Sequence, residues 1–171
     1  MNSNIRRTAL LGLFTAVALA LYLAESLLPP PLPVAGVRLG LANVVTLILL
    51  IYNRPKDALA VLLARILLGS IFAGQMLSFL YSLCGGLVCF FTMAGLFRLL
   101  KGHYIPLISI FGALTHNLTQ LLVAVCLTAI PGLVAYLPIL ILSGCITGLF
   151  TGLCAMAAVR FLGRRIFSDN K

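Results

Sequence analysis

Apolar residues run along this chain in long stretches bounded by charge or by proline and glycine, and six stretches can be separated: 7–28, 39–52, 57–71, 75–100, 104–130 and 135–163. At 1.5 Å of rise per residue, the first, fourth, fifth and sixth are long enough to cross a hydrocarbon core about 30 Å thick. The second and third hold only about 14 and 15 residues, which predicts short, tilted or partly irregular crossings. A single hairpin of two half-crossings is the alternative for that pair. Arg54, Pro55, Lys56 and Asp57 separate the two stretches and read as a polar turn at a water interface, which favours two crossings.

Charge placement fits that layout. With six crossings, both tails and the loops after the second and fourth spans share one side. Arg6, Arg7, Arg54, Lys56, Arg98, Lys101, Arg160, Arg164, Arg165 and Lys171 then lie on that side, and only Arg38 and Arg65 of the 12 Lys+Arg residues lie elsewhere. The positive-inside rule makes this side the cytoplasm. The expectation is an all-α integral membrane protein with six transmembrane helices and both termini cytoplasmic, residues 1–171 forming one transmembrane domain in the lipid bilayer. Arg6 and Arg7 ahead of an apolar run also resemble a signal peptide or a twin-arginine leader. That run is too long for such a segment and more spans follow it, so a retained first helix is expected.

Composition narrows the chemistry. Of 171 residues, 62% are apolar and 9% charged, against about 25% charged in soluble domains, and so apolar a chain does not stay disordered. Six helices of about 20 residues leave only enough for short loops and tails. Glu25, Asp57 and Asp169 are all the carboxylates there are, which closes most chemistry needing paired carboxylates or a carboxylate-bound metal to the chain acting alone. The excess of cations flanks apolar spans instead of forming a soluble face, so no nucleic-acid partner is expected. Cys84, Cys89, Cys126, Cys145 and Cys154 are odd in number, form no C-x-x-C pair and fall within spans, so they read as packing residues and no metal site is expected. His103 and His116 are too few and too far apart for bis-His haem ligation and nothing points to a flavin, so no cofactor is expected.

Two ladders of small residues recur every four positions, each on one helix face: Gly12, Ala16, Ala20 and Ala24, and Gly144, Gly148 and Gly152. Small residues let helices approach closely where lipid supplies no hydrophobic drive. The glycine ladder reads as internal packing. For the alanine ladder two readings stay open, internal packing and a docking face for a separate membrane subunit.

Ionisable and amide side chains at depth are the candidate binding groups. Arg65 lies eight residues past Asp57, about 12 Å into the membrane. Glu25 ends the first span and Arg38 opens the second on the same side, so a Glu25–Arg38 or Glu25–Arg65 ion pair is one account of these charges. The fifth span carries His116, Asn117 and Gln120, with His116 and Gln120 four apart on one face and His116 about 18 Å in from Tyr104. Asn43 and Gln75 add amides. Interhelical hydrogen bonds, worth about 0.6 kcal/mol each, are the plain account. A polar substrate pocket is the other, with Arg65 and Arg38 for an anionic group and His116, Asn117 and Gln120 for orientation. Pro29, Pro30, Pro31 and Pro33 stiffen the first outer loop, as a lid or as a rigid connector.

The run Val37-Arg38-Leu39-Gly40-Leu41-Ala42-Asn43-Val44-Val45-Thr46-Leu47 resembles the signature of a bacterial membrane family described as heptaprenyl diphosphate synthase component I, or Gx transporter family. Leu68-Gly69-Ser70-Ile71-Phe72-Ala73-Gly74, Ser82-Leu83-Cys84-Gly85-Gly86 and Gly112-Ala113-Leu114-Thr115-His116-Asn117-Leu118-Thr119-Gln120 fit it too, so the resemblance spans about residues 10–163. More distantly, the layout is similar to the substrate-binding S components of energy-coupling-factor (ECF) transporters. Those are six-helix proteins with an outward pocket under the first loop and an alanine ladder that docks on a transmembrane coupling subunit. Ala16, Ala20 and Ala24 match that ladder.

The resemblance implies a multi-pass protein of the bacterial cytoplasmic membrane that captures a small molecule, such as an isoprenoid, a quinone precursor or another vitamin-like ligand. It also implies a coupling subunit and ATPases as partners. The chain holds no G-x-x-x-x-G-K-[ST] loop, so ATP hydrolysis would come from those partners. The alternative is a non-catalytic membrane accessory of a polyprenyl diphosphate synthase, working with a soluble synthase subunit. Prenyl chain elongation needs aspartate-rich segments to hold Mg²⁺, and three scattered carboxylates do not supply them, so neither enzymatic activity nor catalytic residues are expected.

Overall fold

In a computed structural model, which describes residues 3–25, 27, 40–73 and 76–163, the described chain is made of helices joined by short turns, with no strand among the described residues. Its elements are α1 (Ser3–Glu25), α2 (Asn43–Ile51), α3 (Pro55–Ala73), α4 (Met76–Leu99), α5 (Ile105–Thr128), a 3-10 segment (Pro131–Tyr136) and α6 (Leu137–Leu162). Four stretches are long and apolar enough to cross a membrane: Ile5–Glu25, Phe79–Leu99, Ile105–Thr128 and Pro131–Leu162. They correspond to the first, fourth, fifth and sixth apolar stretches of the sequence.

The second stretch differs from its expected length. Residues 40–42 form turns in place of helix, with the Asn43 amide bonded to the Gly40 carbonyl at 2.9 Å and the Val44 amide to the Leu41 carbonyl at 3.1 Å. Gly40 has φ of +83°, which side chains rarely adopt. Helix α2 is therefore nine residues long, about 13 Å, too short to cross alone. It ends in a Schellman motif, with Asn53 left-handed at φ 57° and the Arg54 amide bonded to the Leu49 carbonyl at 3.0 Å. Pro55 then opens α3, where a missing N–H costs no helical bond. Helix α3 runs two residues past each end of the expected 57–71.

Side-chain and backbone contacts gather the polar helix ends. Asp57 accepts from Arg7 of α1 and from Arg54 Nη1, the latter at 3.1 Å. The Tyr52 hydroxyl donates to the Gly163 carbonyl at 2.9 Å. Gly152 of α6 lies over Pro106, its missing Cβ 2.8 Å from the Pro106 Cα. The start of α1, the α2–α3 turn, the start of α5 and the end of α6 thus share one end of the bundle, and the cations at positions 6, 7, 54, 56 and 160 lie there.

Helix α2 sits in the middle. Leu47, Leu49, Val61, Leu62 and Ile66 are buried together with Phe14 and Ala18 of α1 and Cys89, Phe90 and Met93 of α4. The outside is apolar, with Phe72, Phe91, Leu122, Leu142, Ile146 and Phe150 exposed. A surface of that kind suits lipid. The ladder Gly144, Gly148 and Gly152 packs on α5, where a Cβ at Gly148 would lie 2.5 Å from the Ile110 Cα, as expected for an internal helix contact. The serine and threonine hydroxyls of Ser109 and Thr151 lie 2.7 Å apart across the same interface.

Candidate functional site

The polar residues buried at mid-depth meet at the start of α2. Asn43 lies eight residues before Ile51, about 12 Å from the polar end, and Arg65 lies ten residues past Pro55, about 15 Å from it. Arg65 is 3% exposed and donates from Nη2 to Asn43 Oδ1 at 2.9 Å. His116 is 2% exposed and stands between two glycines. A Cβ on Gly40 would come within 2.9 Å of His116 Cδ2 and 2.8 Å of Asn43 Nδ2, and one on Gly85 within 2.9 Å of His116 Nδ1. Both places need glycine because the imidazole fills the space. Gln120, fully buried one turn further along α5, has its Cγ 3.1 Å from the same Gly85 position. On α4 the adjoining Gly86 faces Ile66, Leu62 and the Arg65 guanidinium.

Glu25 joins the group from the end of α1. Its carboxylate accepts the Gly40 amide at 2.7 Å on Oε1 and the Leu41 amide at 2.9 Å on Oε2, and the side chain is 5% exposed. These amides precede α2, so a carboxylate sits at the positive end of that helix. The two amides belong to the turns that lead into α2, whose own first amides, of Asn43, Val44 and Val45, bond to the carbonyls of residues 40–42. Glu25 accepts from those two amides and Arg65 donates to Asn43, each among further interactions. The expected partner Arg38 lies outside the described residues, as do Gln75 and the prolines at 29–31 and 33.

Neither ring nitrogen of His116 makes a well-formed hydrogen bond among the described residues. Nδ1 faces the backbone of Gly85. A void beside Asn43 is lined by the polar side chains of Ser109, Thr147 and Thr151 as well as by Cys89 and Met93, with room for about one water.

Asn117 does not join this group. It lies one residue from His116, about 100° around the helix, and donates from Nδ2 to the Leu140 carbonyl of α6 at 3.0 Å. Asn117, expected beside His116 and Gln120, thus faces an interhelical contact. Gly12, Ala16, Ala20 and Ala24 are exposed along one face of α1, and nothing lies within 4 Å of a Cβ at Gly12. Of the two readings of that ladder, the described structure leaves the face open.

Gly40, Gly85 and Gly86 shape the site and were not singled out as site residues by the sequence reading. An adjacent glycine pair inside an apolar helix is the signal that could have found the last two, since glycine there marks close approach. The group is rich in donors: a guanidinium, two amide side chains, two backbone amides and an imidazole. That set can hold and orient an oxygen-rich head group. Among the described residues no three His, Cys, Asp or Glu gather to hold a metal ion.

At the polar end, burial would raise the Asp57 carboxyl's pKa. Hydrogen bonds and charge from Arg7 and Arg54 together outweigh that and hold it below the ordinary carboxylate value. Arg7, Arg54, Lys56 and Asp57 line an open cleft of about 310 Å³ there.

Fold and site together define a helical protein of membrane type with a polar group enclosed at its centre. The chain matches the family of heptaprenyl diphosphate synthase component I over residues 14–158, and it belongs to that family. No curated protein and no solved structure matches it.

Proposed function

We propose that this chain is a non-catalytic membrane component that works with a polyprenyl diphosphate synthase subunit and holds the polar head of an isoprenoid ligand at the start of α2. The observation that carries this reading is the meeting of Arg65, Asn43, His116 and Gln120 in the bundle centre, in a chain of a family described by such a synthase. Donors would orient the head, and apolar walls would take the isoprenoid portion. The placement of cations at one end supports six crossings in a bacterial cytoplasmic membrane, with that end cytoplasmic. Helix α2, nine residues long, is then a short helix of the kind from which membrane binding sites are often built.

The test is joint expression with a soluble synthase subunit, followed by purification through a tag on this chain. Retention of the synthase and at least a few-fold rise in long-chain product support the reading. A synthase that neither co-purifies nor changes its output overturns it.

The open face of Gly12, Ala16, Ala20 and Ala24 favours a second reading. Here the chain is the substrate-binding, S-component-like subunit of an uptake transporter for an isoprenoid or quinone precursor, and that face docks a coupling subunit energised by ATPases. Purification that brings down ATPases and a membrane subunit, without a synthase, would favour it over the first.

A further inference from the structure

Helix α2 begins inside the bundle, and what it faces there is a carboxylate of the same chain. Two backbone amides, of Gly40 and Leu41, hold the two oxygens of Glu25 at 2.7 and 2.9 Å. Two successive amides in the turn before a helix form an anion site, whatever anion fills it. Two further observations show that the site reaches beyond Glu25. His116 is 2% exposed, its Nδ1 lies against Gly85, and its Nε2, which would lie 3.0 Å from a Cβ on Gly40, has no hydrogen-bond partner among the described residues. Buried polar atoms of this kind usually have partners, and one without them calls for an explanation. The Arg65 guanidinium reaches the same spot through Asn43, whose Nδ2 would lie 2.8 Å from that Gly40 position.

We infer that the amides of Gly40 and Leu41, with Arg65 and His116, form an oxyanion site that Glu25 fills in the absence of ligand, and that the diphosphate head of an isoprenoid takes this site by displacing Glu25. The inference rests on the reading of an isoprenoid ligand given above. A carboxylate has two oxygens, and both Glu25 oxygens are engaged by the amides. A diphosphate has more, so it can accept from both amides, from Arg65 and from His116 in the tautomer that carries its proton on Nε2. The adjoining void has room for about one water, too little for a diphosphate, so the head needs the space that Glu25 leaves. Glu25 is the last residue of α1. Its release uncouples the end of α1 from the start of α2, which ties occupancy of the site to the helix carrying the open small-residue face.

The test uses the full chain purified in detergent, with binding measured by calorimetry for inorganic pyrophosphate, farnesyl diphosphate and farnesol. Glu25→Gln removes the competing charge and is expected to tighten both diphosphates about tenfold. Arg65→Lys, which loses the fork geometry, is expected to weaken them by a similar factor. Farnesyl diphosphate binding more tightly than pyrophosphate assigns the site to a lipid-borne head. Equal affinities assign it to a free diphosphate, and either supports the oxyanion site. Should Glu25→Gln fail to yield monodisperse protein, the contrast between Arg65→Lys and Lys56→Gln decides, since Lys56 lines the separate cleft at the polar end. Unchanged or weaker binding in folded Glu25→Gln overturns the inference. So does binding lost in Lys56→Gln and kept in Arg65→Lys, or farnesol binding as well as its diphosphate. All of these are read on the isolated chain, so failure of a synthase to co-purify is a separate result.

Discussion

Arg65 Nη2 and Asn43 Oδ1 are joined at 2.9 Å, which ties the middle of α3 to the first residue of α2. The acceptor is neutral, so this bond leaves the guanidinium charge in place. A cation at this depth is tolerated only with strong hydrogen bonds around it. The bond also fixes the start of α2, whose side chains are nearly all buried. This contact, with the Glu25 bonds to the amides of Gly40 and Leu41, thus positions both the half-length helix and the charge that faces its start.

Replacing Asn43 by Leu removes the acceptor while keeping most of the bulk. Hydrogen bonds to charged groups contribute about 1.5–3 kcal/mol, so Asn43→Leu is expected to lower stability by about 2 kcal/mol. Asn43→Asp keeps an acceptor for Arg65 and is expected to be far milder. Thermal unfolding of the detergent-purified chain reads both. Identical melting of Asn43→Leu and wild type would show that the bond does not hold α2.

Gly148 tests the close approach of α5 and α6. A Cβ there would meet the Ile110 Cα at 2.5 Å and the Ser109 carbonyl oxygen at 3.0 Å, and both are backbone atoms that yield only if the helices part. Gly148→Ala is expected to cost about 1–3 kcal/mol, the usual range for overpacking. Gly12→Ala, with open space around it, is expected to leave thermal stability unchanged or slightly raised. A Gly148→Ala protein as stable as wild type would mean that the helices are less closely packed than described.

Most of the helix layout was legible in the sequence because lipid imposes long apolar runs: the expected 104–130 became Ile105–Thr128 and the expected 75–100 became Met76–Leu99. The second stretch was expected to be short or partly irregular, as it is, but the point where its helix begins was not legible. Leu39 to Ala42 is as apolar as the helix after it, and the turns there depend on Gly40 and on Glu25 reaching across from α1. His116 and Gln120 were found by their four-residue spacing. Asn117, expected to orient the same ligand, is turned by a single helical step toward α6, where it bonds the Leu140 carbonyl. The roles of Gly40, Gly85 and Gly86 are set by where His116 and Arg65 pack, which one chain's pattern of apolar residues does not encode.

The Asp57 carboxyl makes stability depend on pH. Held below its ordinary value by Arg7 and Arg54 against the opposing effect of burial, it binds a proton less readily in the folded chain than in the unfolded one. Its contribution is full above the unfolded carboxyl's pKa, about 3.9, and is lost as pH falls through the lowered folded value. The melting gap between wild type and Asp57→Asn is therefore expected to be widest at neutral pH and to close below about pH 4. Because the Arg7 side chain is half exposed, added salt should narrow that gap at neutral pH. A gap independent of pH from neutral to strongly acidic would exclude this carboxylate as the source.

The open face of α1 separates folding from docking. Ala16, Ala20 and Ala24 are exposed at successive turns, so enlarging them removes no contact within the chain, and substitutions at such surface positions usually change stability by less than about 0.5 kcal/mol. A helix that docks there needs the missing bulk, because small side chains are what allow two backbones to come close in a bilayer. The paired variant Ala16→Leu and Ala20→Leu is expected to melt with wild type and to lose most of whatever membrane subunit co-purifies with the wild-type chain. Quantitative mass spectrometry of tagged wild-type and variant chains, purified side by side from membranes, measures that loss. Unchanged recovery of a membrane subunit by a normally folded variant would move the docking surface off this face, leaving the ladder as a lipid-facing surface with no partner.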